Sequence, residues 1–264
     1  MLGSAMNSDR MPAEEFTDDA VLGGRLVLRQ PRTGHRVGHD AILLAAATEA
    51  GGAGHAVELG AGVGAAALAL AQRTMGLTVT LVELDPALGV LAEHNAARNG
   101  LAGRVRVAVL DVGASDGAFA NEGMSGGSAG CVLMNPPFND PARQNVSPDP
   151  QRRLAHARSS DTLTKWVQRA AWLLAPSGVL TLMWRADGLG DVLSALRAGF
   201  GGIAVLPVYP RPDAAAIRIL VRGVKGSRAP LSLAGGLTLN DANARPSAEA
   251  EAILRGGESL RWPD

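Results

Sequence analysis

From His55 onward the chain repeats one unit: a short apolar run, a turn rich in Gly, Pro or Asp, then a stretch with helical periodicity. Runs that are apolar at nearly every position, instead of every second one, are what parallel strands buried on both faces require. The spacing predicts strands at 55–59, 78–83, 105–110, 130–134, 178–184, 203–208 and 216–222, and helices at 62–75, 86–99 and 162–175. The expected fold class is therefore α/β, a doubly wound sheet. Four Phe, four Trp and one Tyr among 264 residues that are 47% hydrophobic mean that the core is built mainly from Ala, Leu and Val.

Punctuation supports these boundaries. Pro86 suits the first turn of a helix and Gly100 its end, Asp161 is placed to cap the helix at 162–175, and Asp40 to open the apolar helix AILLAAATEA, which Gly51 and Gly52 would stop. The Gly- and Ser-rich stretches 113–130 and 139–150 read as loops beside the sheet's carboxyl edge, where α/β folds keep their ligands. Three parts follow. Residues 1–24 read as a mobile acidic arm, 25–225 as the main domain with a basic entry segment, and 226–264 as a hairpin, LSL and LTL around Gly235 and Gly236, with a short helix at 247–255.

Several classes are excluded. One cysteine rules out an internal disulfide framework and a cysteine-cluster zinc site. Cys131, on a buried strand, is expected to pack. The longest apolar runs, such as AILLAAA at 41–47, fall far short of the roughly 20 residues of a membrane span, and the N-terminus has no signal-peptide core. A cytoplasmic protein without membrane contact is expected. His35 and His39 are four apart but lack an accompanying carboxylate, so no metal is expected.

Lys+Arg and Asp+Glu balance at 25 each, yet basic residues bunch at Arg25, Arg29, Arg32 and Arg36; at Arg143, Arg152, Arg153 and Arg158; and at Arg211, Arg218, Arg222, Lys225 and Arg228. On one face they would attract phosphate. The plain alternative is that they are scattered and solvated.

VELGAGVG at 57–64 is a strand running into a glycine turn that opens a helix. Gly60, Ala61, Gly62 and Gly64 let backbone approach a ligand closely and tolerate positive φ. The same letters also read as GxGxxA, so the loop alone leaves a dinucleotide and S-adenosylmethionine (SAM) both open. Glu83 ends the next strand, about twenty residues on, where an acid accepts ribose hydroxyls. Glu58 favours SAM, because a carboxylate beside the loop repels pyrophosphate but suits a sulfonium. Asp111, ending the third strand, is placed for the adenine amino group or else is an ordinary turn residue. Leu84 and Val112 adjoin these acids as further cofactor-side candidates.

The most specific signal is CVLMNPPFND. Asn135-Pro136-Pro137-Phe138 directly follows the fourth strand, with Asn135 held extended by the proline after it and the turn stiffened by two prolines. The Asn135 carboxamide oxygen and the Pro136 carbonyl are suited to accept both hydrogens of a planar amine, which localises the nitrogen lone pair for attack on a methyl donor. Phe138 would stack on the flat substrate.

VELGAGVG, VELDP and NPPF resemble the amino-methyltransferase group of SAM-dependent enzymes. Together with RLVLRQPRTGHRVGHDAILLAA at 25–46 and LAQR at 70–73, they resemble the bacterial tRNA1(Val) (adenine-37-N6)-methyltransferase family over residues 25–225. The resemblance implies a class I SAM-dependent methyltransferase fold, with a seven-stranded mostly parallel sheet whose last strand is antiparallel. It implies SAM as cofactor, adenosine in tRNA or another structured RNA as acceptor, and Arg36 and Asp40 as cofactor-side residues. Two departures stand out. Gly130-Cys131 replaces an acidic residue often found at the start of the fourth strand, and Phe138 stands where the tRNA enzymes usually carry Tyr. A protein glutamine amide or another planar amine is the alternative acceptor, although glutamine-modifying enzymes usually carry an N-terminal helical domain, and a non-catalytic SAM-binding module is the alternative to an enzyme.

Overall fold

A computed structural model describes residues 15–33, 36–51, 54–137 and 150–262, of which 150–160 in backbone only. The long strands are β3 (His55–Leu59), β4 (Thr78–Glu83), β5 (Val105–Val109), β6 (Ala129–Met134), β7 (Leu174–Arg185), β8 (Phe200–Tyr209) and β9 (Arg218–Lys225). They lie in the order β8-β9-β7-β6-β3-β4-β5. β3 to β7 pair in parallel, and β9 runs antiparallel between β7 and β8. The expected mostly parallel arrangement with an antiparallel last long strand is present, in a sheet that two further short strands beside β8 bring to nine. Chain direction along the sheet reverses between β3 and β6, which opens a crevice at their carboxyl ends.

Neighbouring residues of each strand feed opposite cores. Leu81 packs into a cluster with α1 (His39–Ala47), α2 (Ala65–Arg73) and α7 (Ala248–Leu254), whereas Val82 packs on the other face with α5 (Pro150–Leu173), α6 (Leu189–Leu196) and Phe119 of α4 (Asp116–Asn121). Residues 65–71 of α2 are all buried and five of the seven are Ala, so a helix of small side chains lies close on the sheet where aromatic bulk is scarce. α3 (Pro86–Arg98) follows its sequence signals: Asp85 caps it by accepting from the Ala87 N–H, and the chain leaves through Gly100 at φ 71°.

Five expectations are corrected. The described part of the acidic arm is ordered: β1 (Phe16–Val21) pairs antiparallel with β2 (Leu26–Pro31). Its acids are neutralised across the hairpin, Asp18 by Arg29 and by Arg98 of α3, and Asp19 by Arg36. Hydrogen bonds from Arg98 to Asp18 and from Thr17 to Asp19 hold both carboxyls below their ordinary range. At the other end, β10 (Ser232–Leu233) and β11 (Leu237–Thr238) are no hairpin; each pairs in parallel with β8 and covers what would be an open ten-residue edge.

Helix α1 begins at His39 behind Gly38, with Asp40 in its first turn. It ends at Ala47, ahead of the glycines, because Arg73 Nη2 donates to the terminal carbonyls of Ala45 and Thr48 at 2.6 and 2.8 Å. α5 starts at Pro150, so Asp161 lies inside the helix; no breaker separates Pro150, tolerated in a first turn, from that point. The 113–130 stretch contains α4, capped by Ser115; the expected loop 139–150 lies almost wholly outside the described residues.

Among the described residues no helix is long and apolar enough to cross a membrane, and no group of three or more His, Cys, Asp or Glu is placed to hold a metal. His35 lies outside them. Cys131 is buried among core side chains, which pushes its thiol up to about 12.

Candidate active site

The glycine turn after β3 has the backbone its sequence requires: Gly60, Gly62 and Gly64 sit at φ 69°, 56° and 87°. The Gly60 and Ala61 N–H groups donate to the Val82 carbonyl at 2.8 and 3.1 Å. Glu83 clamps the turn from the next strand, Oε2 accepting from the Gly62 N–H at 2.6 Å and Oε1 from the Asp85 N–H at 2.9 Å. A side chain on Gly62 would meet nothing within 4 Å, so this face of the turn is open to a ligand.

Glu58 is placed beneath the turn. Gly64, in the N-cap position of α2, has no side chain to cap it, and Glu58 Oε2 accepts from the Ala67 N–H at 2.8 Å in its stead. The sequence predicts this carboxylate facing a sulfonium; the structure commits one oxygen to the helix. Burial pushes its carboxyl up to about 8, against the Ala67 hydrogen bond and with help from Glu83.

Leu84 follows Glu83 with 65% of its surface exposed, an apolar side chain in solvent just past the end of β4. Asp111 is exposed and forms an Asx turn, Oδ1 accepting from the Gly113 N–H at 2.7 Å, while Val112 is buried. The organiser of this loop is Arg169 on α5, which sequence reasoning missed. It donates from Nε to the Val112 carbonyl at 3.2 Å, from Nη2 to the Ala114 carbonyl and from Nη1 to Asp116 at 2.7 Å. Its guanidinium lies 4.2 Å from the Phe119 ring centroid and 4.9 Å from that of Trp172. Nothing local in sequence links position 169 to 112–116. Trp166, also on α5, packs directly over Gly60.

At the end of β6, one strand over from the glycine turn, Asn135 is half-buried, Pro136 buried and Pro137 exposed. Asn135 Oδ1 is buried without a hydrogen-bond partner among the described residues. Such a group is costly, by about 1–3 kcal/mol, for as long as it has no donor. Phe138 lies outside the described residues.

Arg36 and Asp40 are not gathered at the turn by any of their hydrogen bonds. Arg36 bonds Asp19, Thr17 and the Pro31 carbonyl. Asp40 Oδ2 accepts from Arg218 Nε at 3.0 Å. The basic stretches are largely paired internally too: Arg29 with Asp18, Arg218 with Asp40, Arg222 with Glu49, Arg25 with the Gly256 carbonyl and Lys225 with the Leu174 carbonyl. Arg143 lies outside the described residues, as do the side chains of Arg152, Arg153 and Arg158.

A family model described as the methyltransferase small domain matches residues 36–207. The chain belongs to that family. Among curated proteins it is 34% identical over 163 residues to the tRNA1(Val) (adenine(37)-N6)-methyltransferase of Porphyromonas gingivalis, covering 60% of this chain and 61% of that protein. It is 31% identical over 173 residues to the protein of the same name from Tolumonas auensis, covering 65% and 68%. The match thus spans about 61% of the length of the first of these relatives. Among solved structures it resembles one described as a predicted O-methyltransferase from Agrobacterium tumefaciens, with TM-score 0.69 and 25% identity over 84% of this chain and 98% of that one. A tRNA (m1A58) methyltransferase from Aquifex aeolicus, at TM-score 0.51 and 14% identity over 75% and 72% of the two chains, shares the fold. The architecture is that of class I SAM-dependent methyltransferases.

The site fits the cofactor this family implies. The open face at Gly62, the carboxylate of Glu83 at the adjacent strand end and the apolar Leu84 beside it provide backbone, acid and hydrophobic surface around one crevice.

Proposed function

We propose that the protein transfers the methyl group of SAM to the exocyclic N6 of adenosine in RNA, with tRNA as the substrate. The observation that carries this reading is the buried Oδ1 of Asn135 at the end of β6, which has no hydrogen-bond partner among the described residues. When bound, SAM supplies an electrophilic methyl on a sulfonium. Gly60, Ala61, Gly62 and Gly64 form its backbone cradle, Glu83 accepts its ribose hydroxyls, and Leu84, Asp111 and Val112 surround its adenine. Arg36 and Asp40 would act from the entry of α1, after exchanging their present ion pairs.

At the acceptor side, Asn135 Oδ1 accepts one hydrogen of the amine and the Pro136 carbonyl the other. Withdrawing both hydrogens into these bonds localises the lone pair on nitrogen and aims it at the methyl. No strong general base is required, because the methylated nitrogen is acidic and loses its proton readily. A hydroxyl acceptor would bring one hydrogen to this pair of oxygens; an amine brings two. Phe138 stacks on the base once adenosine is flipped out of its RNA. The names of the relatives support adenosine in tRNA as the acceptor, and a tRNA substrate supports a cytoplasmic location.

The test incubates the protein and its Asn135→Ala variant with methyl-labelled SAM and unmodified bulk tRNA, digests the RNA and identifies the labelled nucleoside. Label in 6-methyladenosine that vanishes with the variant is the expected result. No label in any RNA, with SAM binding intact, would overturn the RNA reading and direct the search to a protein amide.

A further inference from the structure

The N-terminal hairpin is joined to the rest of the protein by two asparagines whose spacing matches a strand edge. β1 covers one edge of β2, and the other turns toward α3. Asn95 and Asn99 stand one helical turn apart on α3 and its C-cap, about 6 Å along the axis. Val27 and Arg29 stand two residues apart on β2, about 6.7 Å. Each carboxamide therefore meets one backbone unit and bonds it twice. Asn95 Oδ1 accepts from the Arg29 N–H at 2.7 Å and its Nδ2 donates to the Arg29 carbonyl at 3.0 Å. Asn99 does the same with Val27, at 3.0 and 2.9 Å. The side chains of α3 stand in for a missing third strand.

The two amides differ in where their remaining N–H goes. Asn99 donates back to the Asn95 carbonyl of its own helix at 2.7 Å. Asn95, which is fully buried, donates to the Val63 carbonyl at 3.0 Å. Val63 lies between Gly62 and Gly64, both at positive φ, where a peptide plane can turn at small cost. The Val63 carbonyl and the Gly64 N–H share one such plane. With the carbonyl held by Asn95 and the N–H by the Ala61 carbonyl at 2.9 Å, that plane is held at both ends.

We propose that Asn95 is a positioning residue for the cofactor: through Val63 it ties the shape of the glycine turn, and with it the affinity for SAM, to the docked N-terminal hairpin. This rests on reading the turn as the SAM site. The turn then meets its ligand already in the binding conformation, so that ordering it does not diminish the affinity.

Asn99 is the built-in control, because it makes the same two bonds to β2 and none to the turn. The full-length chain and its Asn95→Ala and Asn99→Ala variants are compared by denaturant unfolding and by calorimetric titration with SAM. Both variants should unfold more readily. Asn95→Ala alone should bind SAM more weakly, by about tenfold, with Asn99→Ala within about twofold of the parent, as expected for one buried hydrogen bond. Activity at saturating SAM should be retained in both. Equal affinity losses would overturn the route through Val63, and so would unchanged affinity in Asn95→Ala.

Should the alanine variant not fold, Asn95→Asp keeps the acceptor for the Arg29 N–H and withdraws the amide donor from the Val63 and Arg29 carbonyls, the latter loss being matched in Asn99→Asp, which loses its donation to the Val27 carbonyl. Weakened SAM binding at pH 8 is then expected, and parental affinity overturns the proposal. A parent protein that does not bind SAM at all would refute the cofactor reading instead, so the two failures are distinct.

Discussion

The six-membered ring of Trp166 occupies the space into which a side chain on Gly60 would project. The first glycine of the turn is therefore required for two reasons, its φ of 69° and the indole above it. Trp166 belongs to α5, so this contact joins that helix directly to the glycine turn after β3.

Gly60→Ala should destabilise the protein by roughly 2–4 kcal/mol, combining positive-φ strain with displacement of a packed ring. Gly62→Ala, with open space around its added methyl, should lose only about 1 kcal/mol to strain, yet bind SAM poorly because the methyl stands in the cradle. Denaturant unfolding with titration by SAM separates the two. Equal stability losses would remove Trp166 from the account.

Glu58 carries a pH dependence of known sign. Its carboxyl stands at about 8 in the folded protein against an ordinary 4.5, so over that range the folded state retains a proton that the unfolded chain releases. Its contribution to stability is complete below pH 4.5, declines by about 1.4 kcal/mol per pH unit as pH rises, and levels off above about 8. Glu58→Gln keeps an acceptor for the Ala67 N–H and removes the titration. The stability difference between parent and variant should therefore change steadily between pH 5 and 8 in urea unfolding, as the same linkage requires; a constant difference would show that Glu58 is ionised in the fold.

Asn135 separates stability from activity. Because its buried oxygen has no partner among the described residues, Asn135→Ala should leave the unfolding free energy unchanged or raise it by up to about 1 kcal/mol, while methyl transfer is lost and SAM affinity kept. A clear loss of stability would assign Asn135 to the architecture.

Arg169→Met keeps the apolar stem against Phe119 and Trp172 but leaves the Val112 and Ala114 carbonyls without their donor. Stability should fall by about 2–3 kcal/mol, the worth of charged hydrogen bonds in a shielded site. SAM affinity should fall as well, since Asp111 and Val112 lose their anchor. Unchanged affinity would detach this loop from the cofactor.

Much of the fold was legible because its signals are local. The strands His55–Leu59 and Thr78–Glu83 match their predicted limits, since a strand buried on both faces must be apolar throughout and must stop at a turn residue. The α3 boundaries were equally plain from Pro86 and Gly100. At the site, the residue types of the glycine turn, Glu83 and Asn135 were all legible, because each is demanded by backbone geometry or by chemistry at its own position.

What could not be read were partnerships. An acidic stretch reads as a solvated arm because the arginines that neutralise it lie from 11 to 80 residues away in the chain. LSL and LTL looked like a hairpin because local pattern does not say that both pair with β8. The same holds for Glu58 as a cap for α2, for Arg169 beneath the Asp111 loop and for Asn95 between hairpin and turn. By itself the sequence determined which segments are strands, where the backbone must turn, and that Asn-Pro-Pro follows the fourth strand of the repeating unit. Only the tertiary structure decided which charges are neutralised and which carbonyls are held, because hydrogen bonds and ion pairs depend on distances in space that chain folding creates.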